Sequence, residues 1–347
     1  MNPKISVIVP MYNAENYIKL AINSLLNQSF REFEAILVDD CSTDKTLKIV
    51  KNIKDSRIKI IENEKNLGMP GSVRNIGLEA AKGKYVYFLD NDDFILPNAL
   101  EILFNTAEKN NADVVSTITA IHAADSKFQS IKNLKIKQIT VGKLNKVSSD
   151  LKTRIFEEIM LRHMHCAVWL SFYNRHFLNS RGGGIKFSDC VGEDLFWQFD
   201  VVCATEKIIK IDKPVYIWRP NETSASHSVE RLKKDMEAVL ILTKYVEEKL
   251  AYINDYKFIS EVTRFMSTDL LLNYTIQFLT DDLEHTLEVM GEVIDKAYEK
   301  DSLFIKNIMK NYLVGYLNMR KKDEENQKLR LQLKHVKDRV DEIINAV

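Results

Sequence analysis

Apolar and polar residues along the first 120 positions fall into blocks of two distinct periods. KISVIVPMY is a nearly continuous apolar run, as expected of a strand buried on both faces. AENYIKLAINSLLNQ follows with Tyr17, Ile18, Ala21 and Leu25 at helical spacing. The pattern then repeats. EAILVDD, IKIIEN, YVYFLD and ADVVST predict further strands, and CSTDKTLKIVKNI, SVRNIGLEAAK and PNALEILFNTAEKN predict the intervening helices. The Ser42/Thr43 pair is placed to cap the first of these helices, and Pro97 to open the last. Units in this order predict an α/β fold: a Rossmann-like, mostly parallel sheet flanked by helices.

Residues 121–150 turn polar and lysine-rich and read as a loop or edge segment. A mixed pattern resumes over 151–220, with helices near LKTRIFEEIML and LFWQFDVVCA, the Gly-rich loop NSRGGGIKFSDCVGED between them, and a strand at KIIKIDKPVYIW. After about residue 229 nearly everything reads as helix. At its end Leu329, Leu333, Val336, Val340, Ile343 and Val347 are spaced by fours and threes, the pattern of a short coiled coil or of a helix packed on its own bundle. The division read from these shifts is 1–226, itself split at about 120, and 227–347.

Composition narrows the function. With 49 basic and 49 acidic residues in 347 there is no net positive field, which argues against a nucleic-acid partner. Cys41, Cys166, Cys190 and Cys203 are scattered without metal-ligand spacing and read as reduced thiols. The N-terminus lacks the pattern of a signal peptide, and no run approaches the ~20 apolar residues that span a bilayer. The expectation is a cytoplasmic protein, at most peripheral at the inner face of the membrane. The mixed charge of the C-terminal helices favours a homo-oligomer contact or acceptor positioning over strong membrane binding.

The chemistry concentrates at strand ends. Asp39 and Asp40 close the second strand, and Asp90, Asp92 and Asp93 close the fourth in YVYFLDNDDF. Carboxylates so close repel and are costly to desolvate, so a positive group belongs among them. The alternate pair Asp90 and Asp92 suits a hard divalent cation, Mg²⁺ or Mn²⁺, whose shell is completed by water and substrate phosphate. Between them, NEKNLGMPGSVRNIG brings Gly68 and Gly71 for close backbone approach, with Asn66 beside them and Arg74 and Asn75 at a helix start, a setting for an anionic or polyhydroxyl ligand.

Taken in order, VPMYN, VDDCSTD, the RN segment, FLDNDD, VGEDLFW and PVYIWRPNETSAS resemble family 2 glycosyltransferases of the GT-A fold, closely over residues 4–120 and more loosely to about 226. The resemblance implies a metal-dependent, inverting transfer of a sugar from a nucleotide-sugar, a UDP-sugar first, to a saccharide or lipid-linked acceptor in bacterial surface-polysaccharide synthesis. It implies that Asp40 with Asp39 binds the base and ribose in a pocket lined by Pro10 and Tyr12. It places Asp90 and Asp92 on the metal and on sugar or ribose hydroxyls, Asp194 of the Glu193-Asp194 pair as general base, and His227 as a further metal ligand. His163 and His165 are weaker candidates for acceptor contact, and Trp169, Trp197 and Trp218 read mainly as core. A nucleotidyltransferase lacks here its Gly-rich loop after the first strand. A receiver-like module leaves FLDNDD unexplained, and a degenerate scaffold has no reason to keep every carboxylate.

Overall fold

The computed structural model describes residues 2–123, 136–180, 184–190, 192–205, 207–219, 238, 241–242 and 244–275. The five expected strands appear as β1 (Ile5–Met11), β2 (Phe33–Asp39), β3 (Ile58–Glu62), β4 (Tyr85–Phe88) and, after the short β5 (Phe94–Ile95), β6 (Val114–Thr117). The helices between them are α1 (Ile18–Leu26), α2 (Thr46–Lys51), α3 (Pro70–Ala80) and α4 (Ala99–Asn110). Next come β7 (Thr119–Ala123), β8 (Ile136–Thr140), α5 (Leu151–Ile155), β9 (Ser171–Asn174), α6 (Arg175–Asn179), α7 (Glu193–Ala204), β10 (Ile208–Ile211) and β11 (Tyr216–Trp218).

Seven strands form one sheet in the order β10-β6-β9-β4-β1-β2-β3, parallel except that β9 runs antiparallel between β4 and β6. All seven residues of β1 are buried, as its continuous apolar run requires of a central strand covered on both faces. On one face Ile18, Ala21, Ile22 and Leu25 of α1 pack into the core formed by alternate residues of β1, β2 and β4. A second sheet, β5-β11-β7-β8, lies beyond the end of β4 in the chain.

Two local expectations are corrected. KIIKIDKPVYIW is not one strand: β10 joins the large sheet and β11 the small one, with Pro214 at the break and Lys213 O accepting from Thr117 Oγ1 at 2.7 Å. Proline supplies no ladder donor there. Ser42 and Thr43 do not cap α2, which begins after Lys45. They tie the β1 and β2 loops together instead: Asn13 N donates to Ser42 Oγ, and Thr43 N to Asn13 Oδ1.

The chain divides into two compact units, Met1–Glu222 and Thr223–Val347. Within the second, helix Tyr256–Thr275 buries Ile259, Val262 and Met266 at helical spacing. The heptad stretch from Leu329 and the proposed ligand His227 lie outside the described residues. No described helix is long and apolar enough to cross a membrane.

Candidate active site

Because β1, β2 and β4 are parallel, their carboxyl ends open onto one edge of the sheet, where an open α/β fold places its ligands. The candidate residues gather there from four loops and the start of α7.

Asp39 and Asp40, adjacent in sequence, do different work. Asp40 spends its carboxylate on the chain: Oδ1 accepts from Asn63 Nδ2 (2.8 Å) and Leu67 N (2.9 Å), and Oδ2 from Gly68 N (3.2 Å). Asn66 Nδ2 reaches Asp40 O, and Gly68 sits at φ +73°, a left-handed conformation that glycine adopts without penalty. Loop 63–68 is thus folded around Asp40. Asp39 is 2% exposed; its Oδ2 accepts from Ser42 N, and its buried Oδ1 has no hydrogen-bond partner. A buried carboxylate oxygen left so is costly unless a ligand donor meets it. Tyr12 stands half exposed just past β1, and Pro10 O accepts from Asn91 Nδ2 at 2.9 Å.

The positive group called for by the carboxylates is Arg74, on α3 and 4% exposed. Its Nη2 donates to Asp90 Oδ1 (2.9 Å), while Nη1 is shared between Glu193 Oε1 and Asp194 Oδ1, both at 3.1 Å. Burial opposes the guanidinium charge, but the carboxylates of Asp194, Asp90 and Glu193 more than offset it and raise its pKa above the usual value. Asp194 is pushed up to about 7, by burial first and then by the Glu193 and Asp90 charges, against the pull of Arg74 and of the Val168 backbone N–H. A carboxyl tuned there can take and return a proton near neutral pH.

Packing explains how α7 delivers this pair. Gly192 caps it in the left-handed region at φ +77°, and Glu193 and Asp194 occupy the first turn, where the helix dipole favours acids. Trp197 lies flat on Phe187 (4.2 Å between centroids) and edge-on to Phe88 and Tyr173, pinning α7 beneath β4 and β9. Gly71 makes room: a Cβ there would sit 2.8 Å from Glu193 Cγ and 2.9 Å from Phe187 Cβ. Asn75 fastens the same segment, its amide donating to Phe187 O and accepting from Phe187 N, both at 2.9 Å.

The three carboxylates of FLDNDD are sorted by burial. Asp90 and Asp92 are partly open, and Asp93 is 2% exposed. Tyr216 Oη donates to Asp93 Oδ2 (2.7 Å), and Arg219 N to Asp93 Oδ1 (2.8 Å). Burial and the charges of Asp92 and Asp90 push the Asp93 carboxyl well above the ordinary range, with those two donors pulling the other way. Tyr216 is stacked on Trp169 at 4.2 Å, and the Arg219 guanidinium lies over the Tyr17 ring and donates to Asp92 O.

A sequence profile of glycosyl transferase family 2 matches residues 6–178. The chain belongs to this family. Over 111 residues the chain is 50% identical to an uncharacterised glycosyltransferase of Haemophilus influenzae, covering 31% of this chain and 44% of that one. Over 115 residues it is 44% identical to the poly(ribitol-phosphate) beta-N-acetylglucosaminyltransferase TarS of Staphylococcus aureus, covering 32% of this chain and 20% of TarS. These alignments span less than half the length of either relative. In fold, the chain superposes on TarS residues 1–349 in complex with UDP-GlcNAc with a TM-score of 0.63, at 24% identity and covering 84% of this chain and 80% of that one. A mannosyltransferase of Pyrobaculum calidifontis with GDP-Man and Mn²⁺ gives 0.51 at 15% identity, covering 97% and 84%. The architecture is the GT-A fold.

In this chain, Arg74, Asp90, Glu193 and Asp194 form one cluster, and Asp39 and Asp40 lie at the neighbouring strand end. The sequence reading missed the roles of Asp93 and Tyr216, although Tyr216 and Arg219 at the ends of a Tyr-x-x-Arg stretch were a usable signal. His165 Nδ1 accepts from Ala167 N. His163 belongs to another cluster, with Glu157 and Glu158, where the buried Lys210 ammonium is ion-paired to Glu158 and fills the cation's place. Two partly open carboxylates of hard oxygen donors, Asp90 and Asp92, suit a divalent ion that keeps water and phosphate in its shell.

Proposed function

We propose that the transferase moves a sugar from a UDP-sugar to a hydroxyl of a saccharide or lipid-linked acceptor, with inversion, in bacterial surface-polysaccharide synthesis. The observation that carries this reading is the Arg74 fork, which holds Asp194, near neutral pKa, beside Asp90 of the metal motif. The donor reading is supported by the unpartnered Asp39 Oδ1, an acceptor for a base N–H, next to Tyr12 and the loop that Asp40 folds. UDP-GlcNAc in the TarS complex and GDP-Man with Mn²⁺ in the Pyrobaculum enzyme favour a nucleotide-sugar with a divalent ion.

Asp90 and Asp92 would hold Mn²⁺ or Mg²⁺, which when bound neutralises charge on the departing nucleoside diphosphate. Asp194 accepts the acceptor hydroxyl's proton as its oxygen attacks the anomeric carbon. The bond from that carbon to the diphosphate oxygen breaks, and its electron pair leaves with the nucleotide. Attack opposite the leaving group inverts the anomeric centre. Glu193, sharing Arg74 Nη1 with Asp194, sets the local charge.

A thermal-shift screen of the full chain against UDP-, GDP-, dTDP- and CMP-sugars, with and without Mn²⁺, tests the proposal. Stabilisation by UDP-sugars that depends on metal is expected. An unshifted melting temperature with every nucleotide, at concentrations well above a millimolar affinity, overturns it.

A further inference from the structure

A cavity of about 390 Å³ opens at the end of the sheet opposite the carboxylates, lined by Lys4, Lys82, Lys84, Arg175, His176 and Asn179 among others, with no acidic side chain in its wall. Lys4 precedes β1, Lys82 and Lys84 precede β4, and Arg175 opens α6 after β9. The seven residues of β1 therefore separate this cavity from the candidate active site by about 20 Å.

The cavity is built by the backbone. Ser6 Oγ accepts from Lys82 N (3.1 Å) and Gly83 N (2.8 Å), and a Cβ on Gly83 would lie 2.5 Å from Ser6 N. The Lys82–Lys84 turn is thereby pressed flat on the start of β1, beside Lys4. Arg175 is held without a carboxylate: Nε donates to Gly83 O at 2.6 Å and Nη2 to Lys82 O at 3.3 Å. Its orientation is set while its charge stays uncompensated. Lys84 is paired with Glu108 at 2.5 Å, and Glu34 Oε1 is turned to Ser6 Oγ and Lys82 N. Among the described residues, the Lys82 ammonium makes no ion pair with a carboxylate, and Lys4 makes none either, although its charge is felt by Glu108. In a chain with equal numbers of acidic and basic residues, such an excess of cations around one concavity is a local arrangement, not a by-product of composition.

A fixed guanidinium with flanking ammonium groups matches a compact, multiply charged tetrahedral anion. We propose that this basic cavity binds a phosphate group, at a site separate from the donor site, supplied either by an anionic phospholipid headgroup or by a soluble phosphate compound. Occupied by a headgroup, it turns the amino ends of β1 and β4 toward the membrane and leaves the carboxyl ends open.

The full chain is titrated with inorganic phosphate by calorimetry at low ionic strength. It is also sedimented with phosphatidylglycerol/phosphatidylcholine vesicles and with phosphatidylcholine vesicles alone. The variant is Lys4→Gln/Lys82→Gln, which removes two ammonium groups engaged in no ion pair and no hydrogen bond of the fold. The control is Lys51→Gln/Lys186→Gln, which removes two lysines paired elsewhere. Binding of the unaltered chain to at least one anionic probe is expected, weakened about tenfold in the variant and unchanged in the control. Binding to phosphatidylglycerol vesicles assigns the headgroup, and binding to phosphate alone assigns the soluble source. No binding to either probe, or equal binding by the Lys4/Lys82 variant, overturns the site. Donor turnover by this variant is expected to match the unaltered chain, so failure here leaves the transferase reading standing.

Discussion

The Tyr216 hydroxyl donates to the Asp93 carboxylate at 2.7 Å across 123 residues of sequence. Through this bond the last strand of the small sheet clamps the loop that presents Asp90 and Asp92, and Tyr216 Oη also receives Asp90 N at 3.3 Å. Tyr216→Phe leaves a buried carboxyl short of one donor, which is expected to cost about 1–3 kcal/mol of stability. Urea unfolding measures that loss. The same variant should need more Mn²⁺ for half-maximal activity, a readout that separates positioning of the loop from mere stability.

Asp194→Asn removes the proposed proton acceptor but keeps the shape of the side chain. Transfer is expected to fall by about 10²–10⁴. Donor binding, followed by thermal shift, should stay within about twofold of the unaltered enzyme. Undiminished transfer would remove Asp194 from the base role.

With the Asp194 carboxyl at about 7, the proposed base is ionised above that pH and lost below it. The rate of the chemical step is therefore expected to fall about tenfold per pH unit on the acid side of about 7 and to level off on the alkaline side. A single-turnover pH profile checks this. A limb centred near 4 would mean that the ionisable group belongs elsewhere.

Arg74→Met leaves Asp90, Glu193 and Asp194 together without their cation, at an expected cost of about 3–5 kcal/mol near pH 8. The Asp194 carboxyl, already raised by burial, rises further once the Arg74 charge that held it down is gone. Stability then rises as pH falls through the folded values, because the folded state holds more protons. The melting-temperature gap between the variant and the unaltered chain should accordingly narrow from about pH 8 to pH 6.

Gly71→Ala forces a methyl group against Glu193 and Phe187, and overpacking of this kind is expected to cost about 1–3 kcal/mol. Because the displaced residue is Glu193, activity should fall by more than the loss of folded protein explains. Comparing kcat with the folded fraction from circular dichroism tests this.

The order of strands and helices was readable because β1, β2 and β4 each repeat one signal, an apolar run ended by polar loop residues. Asp39, Asp40, Asp90 and Asp92 were readable for a related reason: they close those runs, and parallel strands carry their ends to one edge. Antiparallel β9 and the break between β10 and β11 were not readable. SFYN is too short to show a period, and KIIKIDKPVYIW shows no sheet change except Pro214. The roles within the site were hidden further. Asp39 and Asp40 are chemically identical neighbours, yet loop 63–68 folds around one and leaves an oxygen of the other without a partner. The same holds for Asp92 and Asp93, one partly open and the other buried under Tyr216. Local sequence thus specified which carboxylates reach the edge of the sheet. Which of them keeps an open oxygen, supports a loop or is held by Arg74 was decided by long-range partners, because burial and hydrogen bonding, not residue type, set the charge and reach of a carboxylate.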